Sequence, residues 1–346
     1  MSTVLHMLQP GPQTTVQDLG RHGFQAYGVP VCGALDGTAL RLANALVGNE
    51  AGLAGLEVRL AGPTFEVAGG PARLALAGAQ ADIEVIVADE TSRYGAWRAI
   101  DVPEGARVRI GALTGSGGAM LAFAGGLAVP AVLGSRATDL KGRFGGHEGR
   151  PLAPGDRLPL GTRAVQGPCL EIPSPPRAVG EIVLRAVPGP QADAFTDEAM
   201  AAFFTTSYRV SREADRMGMR LEGPPLAFRD GADIVSDGIA TGSIQVPGSG
   251  LPIVLLADHQ TIGGYAKIAT VISADLPLAG SLMPGAQIRF RAVTVAEGED
   301  ACRAREAEIA RIIASLAPVR EGARIDAAAL YGANLISGVV TALESG

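Results

Sequence analysis

Glycine and proline interrupt this chain so often that long regular elements have little room. Its 346 residues include 47 Gly and 23 Pro, and the apolar runs between them are short. Those runs, at 72–79, 83–88, 106–113 and 120–124 in the first half and 181–187, 252–257, 267–273 and 287–295 in the second, read as strands bounded by turns. Many short strands at such spacing predict barrels or sandwiches, not an alternating βαβ array. The expected fold is mainly β, two barrels with a few short helices and a C-terminal helix.

Two segments carry helical periodicity. Over 38–47, Leu40, Ala43 and Val47 share a face, Asp36 or Thr38 can cap the start, and Gly48-Asn49 supplies a left-handed stop. From about 299 to 316, Ala301, Ile309, Ile312 and Ile313 recur among charged neighbours, which predicts a tail helix packed on a barrel or a partner. A Pro/Ser-rich stretch at 173–177 predicts a boundary between domains at 1–176 and 177–296, followed by a helical extension at 297–346. A weak repeat supports two related halves: Arg59-Leu-Ala-Gly-Pro matches Arg220-Leu-Glu-Gly-Pro, and Arg21-His-Gly matches Arg216-Met-Gly.

Composition narrows the function classes. No apolar run approaches the ~20 residues of a membrane span, and residues 1–9 lack a basic region followed by an apolar stretch. A cytoplasmic protein is expected. A net charge of −6 and the lack of a basic cluster interleaved with aromatics argue against nucleic acid and for small molecules or proteins as partners. Cys32, Cys169 and Cys302 are too dispersed for a zinc knuckle or disulfide framework, so no metal site is expected. The only lysines, Lys141 and Lys267, lie in neither a P-loop nor a biotinylation motif.

Three stretches concentrate chemistry. Around Asp258, His259 and Gln260, an apolar run expected to be a strand over 253–257 delivers an acid, an imidazole and an amide next to a Gly-Gly turn ending at Tyr265. An imidazole beside an acid makes a base near neutral pH, and Gln245 and Gln260 can donate to a developing oxyanion. Strand alternation predicts Asp258 and Gln260 on one face and His259 on the other. Arg212, Arg216 and Arg220, with Asp215 and Glu213 between them, can either grip a carboxylate or phosphate or form a solvated ion-pair cluster. Asp18 and Arg21 sit in a Gly-rich segment that is either ligand-facing or a rigid loop, and Ser135 and Arg136 either reach the same cleft or make a turn. Lys267, opening the strand after Tyr265, is a point charge able to lose its proton.

These stretches resemble the family that includes the C component of 5-oxoprolinase, allophanate hydrolase subunit 2 and the biotin-dependent carboxyltransferases. The matching residues include Thr14-Thr-Val-Gln-Asp-Leu-Gly-Arg21, Gly28-Val-Pro30, Asp215-Arg-Met-Gly218, Ile244-Gln-Val-Pro247 and Asp258-His-Gln-Thr261 with Gly263-Gly-Tyr265, across roughly 4–295. Ile262 replaces the second Thr of the family pattern. The resemblance implies two cyclophilin-like β-barrels with a site between them. It further implies one component of an oxoprolinase that works with a B-type companion protein and an A-type component to open 5-oxo-L-proline to L-glutamate with ATP, which the complex rather than this chain can bind. The alternatives are transfer of carboxylate to urea or a related amide from a biotin carrier supplied in trans, and a non-catalytic Kip-type regulator. Carried onto this chain, the resemblance makes Asp258 and His259 acid/base or orienting groups, Gln245 and Gln260 carbonyl donors, and Arg212 and Arg216 anion anchors, with Tyr265 and Lys267 in an outer ring. The groups around His259 and Met217 are expected to face each other across a groove between the barrels.

Overall fold

A computed structural model describes residues 3–162, 167–176 and 181–319. In the first half, two antiparallel sheets enclose one core. One sheet has six strands, in the order Arg157–Pro159, Val4–Gln9, Thr64–Ala68, Arg107–Ile110, Ile83–Val87, Glu90–Tyr94; the other has five, Gln13–Gln17, Gly55–Arg59, Gly118–Phe123, Ala72–Ala77, Ala99–Val102. Leu5, Phe65 and Val108 from the first meet Leu56, Leu74 and Phe123 from the second. Phe65 and Phe123 stand edge to face, 5.8 Å apart, and pin the sheets together.

The expected strand at 72–79 runs Ala72–Ala77 and is buried on both faces. Its sequence explains how. Leu74 and Leu76 fill the inter-sheet core, while Ala75 and Ala77 face outward and are small enough for helix α1 (Gly37–Leu46) to lie against them. Asp36 caps α1 through the Ala39 N–H at 2.8 Å, and Gly48 follows its end at φ +74°. Leu40, Leu42 and Leu46 are fully buried, each stabilising the fold by roughly 1.5–3 kcal/mol.

Burial pushes the Asp36 carboxyl up to about 6 from 3.8, against the opposing pull of the Ala39 N–H. A carboxyl raised in the folded state stabilises the protein below its unfolded value, and that contribution is lost as pH rises through 6. Asp36→Asn keeps the cap acceptor and cannot ionise. Urea unfolding at pH 4 and 7.5 should therefore show the variant gaining up to about 3 kcal/mol on the native chain at the higher pH; equal differences at both would refute this account of the buried carboxyl.

The second half closes into a seven-stranded barrel in the order Ile182–Pro188, Lys267–Val271, Ser243–Gln245, Ile253–Leu255, Gly218–Glu222, Ser207–Val210, Gln287–Ala292, sealed by a parallel pairing of the first and last. Leu184, Ile244, Val254 and Ile268 fill it. Helix α2 (Asp197–Thr205), unforeseen from the sequence, plugs one end by stacking Phe203 on Phe290 at 4.6 Å. Its start is nevertheless marked: Thr196 caps Ala199, with Asp197 and Glu198 in the first turn. A short helix α3 (Leu276–Ser281) follows the barrel strand ending at Val271.

The tail helix α4 spans Val295–Ala314, starting earlier than the apolar periodicity indicated because Thr294 and Glu297 form a capping box. Its partner is α1, through Ile309 and Ile312 and a two-bond Arg41–Glu306 pair. The repeat is partial in three dimensions: Arg59 is followed by the strand Thr64–Ala68, whereas no strand intervenes between Gly218–Glu222 and Asp233–Gly238. Asp233–Gly238 pairs only with Ile262–Tyr265, in a ribbon beside the barrel. The expected boundary at 173–177 runs into Arg177, and the expected extension into 320–346, both outside the described residues.

Candidate active site

Arg216 is held at all three of its guanidinium nitrogens. Its Nε and one terminal nitrogen donate to the two oxygens of Asp258 at 2.9 and 2.8 Å; the same nitrogen reaches the Gly33 carbonyl at 2.7 Å, and the other donates to Glu57. Glu57 in turn accepts the Leu35 N–H at 2.7 Å. All three charged side chains are 3–4% exposed. Glu57 belongs to the first half and Asp258 and Arg216 to the second, so the cluster clamps the halves across their interface.

Two carboxylates share one guanidinium here. Burial opposes the charge on Arg216, but Glu57 and Asp258 outweigh it and hold the guanidinium protonated. Burial raises Asp258, Arg216 opposes the rise, and the like charge of Glu57 adds to it.

This geometry overturns four expectations. Arg216 has four of its five N–H groups committed within the protein, so it is a clamp and not an anion anchor. Arg212 is exposed, Arg220 pairs with Glu213 at 3.6 Å, and Asp215 caps the Met217 and Gly218 N–H groups, so the arginines do not converge. The strand carrying Asp258 ends at Leu255, and residues 257–258 turn. Alternation therefore stops short of the motif, and Asp258 and Gln260 join different networks. Finally, where Asp258 and Arg216 meet, the halves form a sealed contact and not a groove.

His259, 1% exposed, lies in the second network. Its Nδ1 is 2.6 Å from the Gln260 carbonyl, which can only accept, so Nδ1 carries the proton and Nε2 is left as an acceptor for the Thr241 hydroxyl at 3.0 Å. Burial lowers the pKa of the imidazole, opposed by the Gln260 carbonyl and the charge of Asp258. The result is a neutral ring with a basic nitrogen facing a half-buried hydroxyl. Thr241 had no signal in the sequence beyond standing next to Gly242, because its partner lies 18 residues on.

Gln260 donates its amide to Gln245 Oε1 at 3.2 Å, which spends one of the two expected carbonyl donors. The Gln245 Nε2 is buried and has no partner among the described residues. It packs so tightly on Gly263 that a Cβ there would lie 2.5 Å away, which is a reason for glycine at that position. A buried donor left unpaired costs about 1–3 kcal/mol, and a carbonyl oxygen would satisfy it.

The remaining residues are dispersed. Asp18 is saturated by the Gly20 N–H (2.8 Å), the Ser135 hydroxyl (2.7 Å) and the Arg136 N–H (2.6 Å), while Arg136 Nε donates to the Val129 carbonyl at 2.8 Å. These make the rigid loop, not a ligand site. Arg21 donates to the Ala137 carbonyl and lies over Phe144 at 4.7 Å, yet its Nε and one terminal nitrogen are buried without partners among the described residues. Lys267 is buried with its ammonium 2.8 Å from Asp237, so it is a salt-bridged charge, and Tyr265 is 42% exposed on the ribbon. Cys32 lies beside the clamp, its N–H bonded to the Ala257 carbonyl at 3.0 Å; burial, then Asp258 and Asp139, raise its thiol far out of the nucleophilic range. No group able to hold a metal ion occurs among the described residues, and no described helix is long and apolar enough to cross a membrane.

Residues 27–292 match the carboxyltransferase domain, subdomain A and B, and the chain belongs to that family. It is 38% identical to the C component of the 5-oxoprolinase of Escherichia coli over 88% of this chain and 94% of that protein, and 34% identical to that of Haemophilus influenzae over 88% and 96%. A putative urea carboxylase of Emericella nidulans is 31% identical over 90% of this chain but 26% of its own length. Among solved structures, the K. lactis urea amidolyase superposes with a TM-score of 0.81 at 27% identity, covering 89% of this chain and 20% of that one. TTHA0988 does so with 0.75 at 36%, covering 84% and 56%, so the chain spans only part of both.

Proposed function

We propose that this chain is the C-type component of an ATP-dependent 5-oxoprolinase, opening 5-oxo-L-proline to L-glutamate in the cytoplasm together with a B-type companion protein and an A-type component. The observation that carries the choice among reactions is coverage: the match extends over nearly the whole of two proteins named as the C component of 5-oxoprolinase, and over a small fraction of the urea carboxylase. The site chemistry agrees. A lactam carbonyl needs a donor as its oxygen takes charge, which Gln245 Nε2 supplies, and its attack needs a proton acceptor, which His259 Nε2 supplies through Thr241. ATP is bound by the assembled complex, and this chain's part is to hold the amide.

A second reading, carboxyl transfer to urea or a related amide from a biotin carrier in trans, draws on the family match and the superposition on urea amidolyase. Both reactions stress an amide carbonyl, so the same donor serves either. Combining the chain with its companion proteins and measuring glutamate release from 5-oxo-L-proline, with ATP and with or without avidin, separates them. ATP-dependent, avidin-insensitive release is expected; avidin-sensitive consumption of urea without glutamate would replace the first reading by the second.

A further inference from the structure

A cavity in the interface between the halves lies away from His259. It has a volume of about 830 Å³, within the roughly 300–1,000 Å³ of small-molecule sites, and is walled by both halves and α4. Trp97 and Gln80 stand on one side, Asp275 and Leu278 on another, Ala301 and Arg305 on the third. Three observations mark it as more than a packing gap.

Arg305 Nε is buried and has no hydrogen-bond partner among the described residues. Asp36, Glu306 and Glu308 stand near enough to feel its charge, but the hydrogen bonds they accept come from the Ala39 N–H, Arg41 and Arg311. The second cation of the wall, Arg185, is bound by two bonds to Asp275 at 2.9 and 2.6 Å. Only Arg305 is left to receive an anion, and a guanidinium does so with paired N–H donors. Trp97, 7% exposed, adopts φ +67°, a left-handed backbone rare for a bulky residue and held by bonds to Leu76 and Ile172. Those bonds and the packing around it keep the indole in the wall.

We infer that this cavity is a second ligand site, taking a small organic monocarboxylate whose body also hydrogen-bonds, with the carboxylate on Arg305. Gln80, Thr114 and Ser116 line the cavity and offer the body polar partners. The three neighbouring carboxylates and the net charge of −6 disfavour a dianion, so phosphate is a poor occupant.

Trp97 is the only tryptophan of the chain, so its fluorescence reports this cavity alone. N-acetylglycine, titrated into the full chain, should change the emission saturably. N-acetylglycinamide, with the same body and no carboxylate, and inorganic phosphate should each bind at least tenfold more weakly. Arg305→Met should weaken N-acetylglycine at least tenfold with the emission of the free protein unchanged. Should that variant misfold, Ala301→Phe, which fills the cavity from the same helix, should abolish the response. No emission change with N-acetylglycine, equal affinity for the amide or for phosphate, or undiminished binding by a folded Arg305→Met or Ala301→Phe chain would overturn the inference. Because no turnover is measured, its failure leaves the oxoprolinase reading standing, and the reverse.

Discussion

Arg216→Met should destabilise the protein by about 3–5 kcal/mol, because it leaves Glu57 and Asp258 buried together with no cation between them. The side chain is similar in length, so lost packing is a minor part of the effect. The pair itself need not be a large source of net stability, since desolvating three charges costs nearly what their attraction returns; the penalty is for breaking it. Its dependence on pH carries the diagnosis. Asp258 is already raised in the native chain by burial and by Glu57, and without Arg216 it rises further. Carboxyls raised in the folded state stabilise at low pH and cease to as pH rises through their folded values. The variant should therefore be nearly native in urea unfolding near pH 4.5 and far weaker at pH 8. Adding Glu57→Gln should recover part of the loss, as expected of coupled neighbours. A loss under 1 kcal/mol at pH 8 would show that the clamp is not what joins the halves.

The second large effect is catalytic. In the reconstituted complex, His259→Gln should lower turnover on the order of a hundredfold or more, the range removed with a positioned base. Its stability at pH 8 should change little, since a Gln side chain can still meet Thr241. The native rate should persist below pH 6.5, because burial lowers the imidazole pKa, and the variant should lack that limb of the profile. Linkage adds a check independent of activity. A folded-state value below the unfolded one means stability present above 6.5 and lost as pH falls through the folded value, and His259→Gln should remove that loss. Undiminished turnover in the variant would remove His259 from the chemistry and leave it a core residue.

Much of the fold was legible because its signals are local. Gly and Pro placed the ends of the eight expected strands within three residues, and α1 was read from one turn of sequence with Asp36 or Thr38 as its cap. The missed start of α4 was also local: Thr294 and Glu297 are a capping box outside the apolar periodicity. The site was legible as a motif but not as a geometry. Asp258, His259 and Gln260 are adjacent in the chain, and the expected strand would have sorted them by alternation. The strand stops at Leu255, and the turn that follows sends the acid to the interface and leaves the imidazole and amide on the barrel.

By itself, the sequence determined a chain of short strands, the place of α1, and that an acid, an imidazole and two amides stand near a Gly-Gly turn. Only the tertiary structure decided which charges neutralise each other. The partners of Arg216 lie 42 and 159 residues away, and the unpaired donors of Gln245, Arg21 and Arg305 are defined by what packing leaves out of reach. Conformational preference acts between neighbours in the chain, whereas a buried charge or donor is satisfied by whatever the closed fold brings within about 3 Å, and no local pattern encodes that.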